Sequence, residues 1–227
     1  MPKTTDPVLI APSLIADDLS VMGITARSFD PAIVDLLHMD VMDGNFVPNL
    51  TFGPGYIQNL QKHVAVPLDV HLMIEKPEHS VEQYMALKPW CVTIHYESTR
   101  FPGRILSQIR NAKIIAGLAL NPATPVENSF DLLPFCDIVL IMSVDPGFYG
   151  QTFMESSLER IERLAGHLKK AGYGGKIRIQ VDGGITRDNI SKVVKAGASI
   201  VVAGSASFRG GDVNRSVREL KESAGAT

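Results

Sequence analysis

Cysteine is scarce in this chain of 227 residues, with Cys91 and Cys136 the two present. Two are too few for a disulfide framework, and their wide separation excludes the close cysteine pairs of a zinc knuckle or a redox couple. Such usage suits a reducing cytosol, so a cytoplasmic location is expected. Charge of either sign is not in excess: 22 basic residues face 24 acidic ones, for a formal net charge of −2. There is therefore no basic stripe for nucleic acid and no acidic tail for solvation. No apolar run approaches the ~20 residues that a membrane-spanning helix requires. The opening stretch MPKTTDPVLIAPSLIA contains one Lys, one Asp and three prolines. That is not the charged start and unbroken apolar core of a signal peptide. The expectation is a soluble, unexported protein that acts on a small molecule, with neither nucleic acid nor membrane as a partner.

Hydrophobic residues make up 45% of the chain, enough for one large core, and a single α/β barrel commonly needs about 250 residues. One domain over residues 1–227 is expected. Short β-branched runs recur as VLIAPSLI, IVDLLHMDVM, PLDVHLMI, CVTIHYE, KIIAGLAL, DIVLIMSV, KIRIQVDGGI and SIVVAGSASF, giving eight candidate strands. Between them lie PEHSVEQYMALK, SSLERIERLAGHLKKAG, RDNISKVVKAGA and DVNRSVRELKESAG, where apolar residues return every three or four positions. The charge-rich helix ESSLERIERLAGHLKK reads as a solvated face with i,i+4 ion pairs. Strand, helix, strand units cross over right-handed into parallel sheets, and eight of them close into a (β/α)8 barrel. An open doubly wound sheet would show a Gly-rich fingerprint after its first strand, and APSLIADDLS is not one.

In such a barrel the chemistry sits where strands end, so ionisable groups there ask for a function. Strand two carries His38, Asp40 and Met42 on one face, strand three carries His71 and Met73, and strand seven ends at Asp182 before two glycines. Two imidazoles and two carboxylates could converge, a ligand set suited to one divalent transition metal such as zinc, iron, manganese or cobalt. Gly183 and Gly184, read as leading into the helix TRDNISKVV, together with Gly204 and Ser205 at strand eight, offer backbone N–H groups and a helix N-terminus to a phosphate. The loop SVDPGFYGQTF after strand six reads equally as a lid or as a mobile surface connection. Met42, Met73 and Met142 suggest a soft apolar wall near the reaction centre. His95 and Glu97 share a face at strand four and read as support for their neighbours or as a satisfied interior pair, with support ahead and catalysis not expected.

The segments APSLIADD, HMDVMDGNFVPNLTFGP, PLDVHLMI, LALNPATP, IMSVDPGFYGQ, VDGGI and VAGSASF, in that order and over nearly the whole chain, resemble ribulose-phosphate 3-epimerases. The resemblance implies a metal-dependent barrel of the ribulose-phosphate-binding type that interconverts D-ribulose 5-phosphate and D-xylulose 5-phosphate in the pentose phosphate pathway, through a cis-enediolate. It implies His38, Asp40, His71 and Asp182 as metal ligands, with Asp40 and Asp182 as the paired acid/base carboxylates. It also implies substrate contacts at Ser13, His71 and Asp182, phosphate contacts from Gly147, Phe148, Tyr149 and Gly150 and from Gly183, Gly184, Gly204 and Ser205, and a homo-oligomer, dimer or larger. Two positions depart from the pattern: Asn45 stands where the family usually has His, and Tyr149 where it has Gly. Asn45 is outside the ligand set. Tyr149 bears on how closely that loop approaches phosphate.

Competing readings differ at identifiable residues. A Schiff-base aldolase needs a strand-end Lys, and the lysines here lie in helices, loops or strand beginnings. A decarboxylase or synthase of the same superfamily would carry Asp-x-Lys on strand two, where this chain has Asp40, Val41 and Met42. A 3-epimerase of a six-carbon ketose 6-phosphate, such as allulose 6-phosphate, shares the chemistry and differs in pocket length; the glycine pair after Asp182 leans towards the pentose. A non-catalytic sugar-phosphate-binding barrel would keep the glycines without opposed carboxylates.

Overall fold

The computed structural model describes residues 7–225. The outermost residues of the expected domain, and the start of the stretch read for a signal peptide, lie outside the described residues. Eight parallel strands form one sheet: β1 (Leu9–Pro12), β2 (Leu37–Met42), β3 (Leu68–Met73), β4 (Cys91–His95), β5 (Ile115–Leu120), β6 (Ile138–Met142), β7 (Arg178–Asp182) and β8 (Ile200–Ala203). Their order is β1-β8-β7-β6-β5-β4-β3-β2, and a parallel bridge from Ser13 to His38 brings the two ends together. This is a (β/α)8 barrel. Around it run α1 (Met22–Arg27), α2 (Pro54–Leu60), α3 (Val81–Met85), α4 (Pro102–Asn111), α5 (Ser156–Lys170), α6 (Ile190–Ala196), α7 (Ser205–Phe208) and α8 (Val213–Gly225). After β5 the helical position is filled by a 3-10 segment, Val126–Phe135, with Pro134 inside it. Among the described residues no helix is long and apolar enough to cross a membrane.

Strands of such a barrel are covered on both faces, so each reads as a near-continuous apolar run. On β2 the outward residues Leu37, Met39 and Val41 join the main core beneath the helices. In α5 the buried residues Ile161, Leu164 and Leu168 recur at spacings of three and four, and Val213, Val217, Leu220 and Ala224 do the same in α8. The charges of α5 do not form the expected i,i+4 pairs. Glu155, at its start, pairs with Lys192 and Arg163 with Glu127, each on another element. Arg160 turns inward and donates to the carbonyls of Met142, Asn121 and Thr124. The pattern at residues 77–88 is likewise not one helix: it splits into a 3-10 turn, Pro77–His79, and the short α3.

Inside the barrel, side chains stack in layers. Ala11, Leu36, Cys91, Ile138, Ile200 and Val202 plug the lower half as one apolar cluster. Above them the pairing of β2 with β3 sets His38 beside Asp69, Asp40 beside His71 and Met42 beside Met73. Strand β5 contributes little bulk, because a Cβ on Gly117 would lie 2.1 Å from Thr93 Oγ1 and 2.9 Å from its Cβ. Replacing Gly117 with Ala is expected to cost about 1–3 kcal/mol through this overpacking. Urea unfolding curves would read the loss, and a Gly117→Ala protein as stable as the parent would mean that Thr93 moves aside freely.

Candidate active site and metal centre

The seam of the barrel lies at the site. Ser13 bridges to His38 along the backbone, and its hydroxyl donates to Asp40 Oδ2. Lower down, where β1 and β2 do not pair, Asp35 Oδ2 accepts from the Ile10 N–H at 2.9 Å and is itself held by Lys221 of α8 at 2.8 Å. Side chains thus replace the missing ladder and hold β2 against β1.

His38, Asp40, His71 and Asp182 each aim one ligand atom at a common point, all four atoms lying within 4.8 Å of one another. His38 Nε2 is 3.4 Å from Asp40 Oδ1 and 3.9 Å from Asp182 Oδ2, and His71 Nδ1 is 3.3 and 3.9 Å from the same two oxygens. The outer nitrogen of each ring is engaged elsewhere. His38 Nδ1 lies 2.7 Å from Asp69 Oδ2, which also accepts from Gln180 Nε2 at 2.5 Å. His71 Nε2 lies 2.8 Å from His95 Nε2. Such partners fix ring orientation, and the inner nitrogens, His38 Nε2 and His71 Nδ1, face each other at 3.4 Å beside Asp40 Oδ1.

The electrostatics are those of a centre short of positive charge. Burial disfavours the cationic form of His38, but Asp40 and Asp69 outweigh it and raise its pKa well above the ordinary histidine value. Burial opposes ionisation of Asp40, yet His38 and His71 hold its carboxyl far below the usual range. Burial, and after it the charge of Asp40, push Asp182 up to about 7. Burial lowers His71, and brings His95 down to about 4. Two imidazole nitrogens and two carboxylates therefore meet around a point that no Lys or Arg neutralises: among the described residues the one basic side chain lining the cavity above is the exposed Arg209. A nitrogen and oxygen donor set of this composition fits a divalent transition metal.

Over the cluster opens a cavity of about 400 Å³, the size of a small-ligand site. Ser13, Asp40, Met42, Met73, Met142 and Asp182 form its floor and lower wall, while Gly147, Phe148, Tyr149, Gly150, Gly183, Gly184, Gly204 and Ser205 line it higher up. His38 and His71 lie beneath this lining, fully buried. Every site residue expected from the sequence is thus in one place.

Local details differ from expectation. The glycine pair does not open a helix directly, because α6 begins only at Ile190. Its glycines are needed for contact with the next loop: a Cβ on Gly184 would lie 2.3 Å from the Phe153 nitrogen, and Gly183 sits at φ +120° against Val144. The loop 143–155 is no free surface connection. Asn49 Nδ2 donates to the Gly147 carbonyl at 3.1 Å, and Gln151 Nε2 donates to those of Asp145 and Phe148. Tyr149 is exposed at the mouth and is not among the residues with positive φ, so its side chain brings no backbone strain. Asn45 and Asp43 lie outside the cavity lining, where Asp43 accepts N–H groups from Asn45, Phe46 and Glu75 and staples the loop.

Asp69 and Gln180 went unread in the sequence. Asp69 stands two residues before His71 and so shares its face, a period-2 signal that could have found it. Gln180 relates to Asp182 in the same way.

Comparison with known proteins decides the lineage. Residues 9–208 match the model of the ribulose-phosphate 3 epimerase family. The chain belongs to that family. Curated relatives named ribulose-phosphate 3-epimerase include that of Chlamydia trachomatis, 38% identical over 94% of this chain and 91% of its own. That of Helicobacter pylori is 39% identical over 93% and 96%, and the chloroplastic ribulose-5-phosphate-3-epimerase of Arabidopsis thaliana 39% over 95% and 77%. The fold is shared more widely. A 3-hexulose-6-phosphate synthase superposes with a TM-score of 0.67 at 15% identity, over 95% of this chain and 99% of that one. Orotidine 5'-phosphate decarboxylase of Pyrococcus horikoshii gives 0.65 at 13%, over 96% and 100%.

The raised pKa of Asp182 has a consequence for the metal-free protein. A carboxyl whose folded pKa exceeds its unfolded value of about 3.9 favours the fold while protonated. That contribution is complete below pH ~4 and is lost as the pH climbs through about 7. Asp182→Asn stays uncharged throughout, so in the presence of chelator its melting temperature should gain on the parent's between about pH 5 and 8. A difference that does not vary with pH would show that its neighbours do not disfavour the ionised carboxylate.

Proposed function

We propose that the protein is a metal-dependent isomerase that interconverts D-ribulose 5-phosphate and D-xylulose 5-phosphate by inverting C3, a reaction of the pentose phosphate pathway. The observation that carries this reading is the meeting of Asp40, on β2, and Asp182, on β7, beside two buried imidazoles. The two strands are three apart around the barrel, so the carboxylates reach the site from different walls. Inverting a carbon next to a ketone needs a base on one face and an acid on the other.

In the metal-free protein their environments already set them apart, Asp40 held ionised by the imidazoles and Asp182 pushed up to about 7 by burial and the charge of Asp40, the kind of divergence that acid/base pairs show. One carboxylate removes the C3 proton, and the other returns a proton to the opposite face of the planar enediolate. For the reverse reaction the roles exchange. Ser13, donating to Asp40, orients that carboxylate. A divalent ion held by His38, Asp40, His71 and Asp182, with zinc, iron, manganese and cobalt as the candidates, supplies Lewis-acid stabilisation of the developing oxyanion, worth several kcal/mol. The methionines Met42, Met73 and Met142, all buried, wall the reacting carbons from water.

To the phosphate we assign the upper part of the cavity lining, Gly147, Phe148, Tyr149, Gly150, Gly183, Gly184, Gly204 and Ser205, a glycine-rich backbone of the kind that can offer N–H groups to a phosphate. Phe148 and Tyr149 stand at the mouth, both more than half exposed.

Asp40→Asn and Asp182→Asn should each abolish turnover of ribulose 5-phosphate, a loss of at least about 100-fold, with far-ultraviolet circular dichroism unchanged. The parent should wash the C3 proton of the substrate into heavy water. A folded Asp182→Asn enzyme with near-parental turnover would refute the two-base scheme, and absence of exchange in the parent would point to a binding protein instead.

A further inference from the structure

We infer that Glu97, which hydrogen-bonds to none of the four cluster residues, is a positioning residue that selects the tautomer of His71 through His95 and thereby sets the affinity of the cluster for a divalent cation. The inference rests on the reading of the cluster as a metal centre and deepens it.

His71 Nε2 and His95 Nε2 are 2.8 Å apart, and both rings are fully buried. Two ring nitrogens at that distance share a single proton, one donating and the other accepting. Two arrangements exist. In the first the proton is on His71 Nε2, His71 Nδ1 presents its lone pair to the cluster, and His95 carries its own proton on Nδ1. In the second His71 Nδ1 is protonated towards Asp40 Oδ1, 3.3 Å away, and His95 Nδ1 is bare. Only the first leaves His71 able to ligate.

The group facing His95 Nδ1 decides between them. Glu97 Oε2 lies 3.4 Å from it, and neither atom has a hydrogen-bond partner of its own. A carboxylate has no proton to give. At His95 the second arrangement would set lone pair against lone pair in a buried setting, whereas the first sets an N–H dipole against a negative charge; at His71, where Asp40 Oδ1 faces Nδ1 in both, His38 Nε2 lies 3.4 Å from Nδ1 and can donate to its lone pair in the first. Glu97 is held to this task from behind: the Asn121 N–H donates to Oε1 at 2.8 Å and the Thr124 hydroxyl donates to the same oxygen. Arg160 of α5 secures that loop by donating to the carbonyls of Asn121 and Thr124 at 2.8 and 3.2 Å. Phe46, its ring centroid 4.7 Å from that of His95, closes one side. The chain of contacts thus runs from an outer helix to the inner nitrogen of His71.

Glu97→Gln keeps the shape and reverses one polarity. The Asn121 N–H must still meet an oxygen at the Oε1 position, so the amide NH2 takes the other position and donates to His95 Nδ1. That stabilises the second arrangement. Parent and variant, labelled with 15N at histidine, would be titrated with Zn2+ against a chromophoric chelator, and their imidazole 15N resonances recorded without metal. The expected result is a fall in Zn2+ affinity of about 10- to 100-fold, with the His95 Nδ1 resonance moving from the protonated to the unprotonated position and the metal-free melting temperature unchanged.

Equal affinity of parent and variant overturns the inference, and so does a loss of affinity with His95 Nδ1 still protonated, the mark of a merely structural residue. Should the variant fail to fold, the parent spectrum decides: a bare His95 Nδ1 overturns the inference, and a protonated one with His71 Nδ1 bare sustains it. A parent that takes up no Zn2+ overturns the metal reading and the affinity claim together, which is distinct from parent and variant binding equally well.

Discussion

Burying four ionisable side chains inside a closed barrel is the constraint on which the rest of this structure turns. A lone carboxylate or imidazolium in such a place would cost several kcal/mol and would shift its pKa until it was neutral. The chain meets much of the cost by mutual pairing: His38 lies between Asp40 and Asp69, His71 between Asp40 and His95, and Gln180 adds a second donor to Asp69 Oδ2. Unpartnered atoms remain behind the cluster, Asp69 Oδ1, Gln180 Oε1 and the facing His95 Nδ1 and Glu97 Oε2 among them, but the inner ligand atoms of the four cluster residues gather at one point, where a divalent cation fits. The polar shell is thus a condition of the fold and of the chemistry together.

The same constraint shapes the barrel around it. The lower half is plugged with small and branched apolar side chains, so the polar groups occupy only the upper layers. The seam between β1 and β2 closes through Ser13 and His38, both members of the site. The same two residues thus belong both to the site and to the closure of the barrel, and lower down Asp35, held by Lys221, binds the Ile10 N–H across the seam. Above the cluster, loop 143–155 and the glycine turn after Asp182 touch backbone to side chain and backbone to backbone, at distances that exclude a Cβ. The glycines that resemble a phosphate cradle are also the ones that let the two loops meet.

The eight strands were legible because each is a short β-branched run bounded by turns, and all eight fall inside the segments that the sequence marks out. The four cluster residues were legible through period-2 alternation at strand ends, reinforced by the family resemblance. Segment 77–88 reads as one helix because Pro77, Val81 and Tyr84 recur at spacings of four and three across Ser80, while the chain turns there. Arg160 looked solvated because the charges of α5 are evenly spread along it, and nothing local reveals that one of them meets three carbonyls. Asp69 is less legible because it lies one layer below the strand ends where a barrel places its chemistry.

By itself the sequence determined the alternation of strand and helix, hence the barrel, and the face of each strand on which His38, Asp40, His71 and Asp182 stand. Those follow from local periodicity. Only the tertiary structure decided that these faces share one lumen at one height, that Asp69 backs His38, and that Glu97 reaches His71 through His95. Such contacts depend on the stagger of neighbouring strands and on loops from distant parts of the chain, and no spacing along a single segment encodes them.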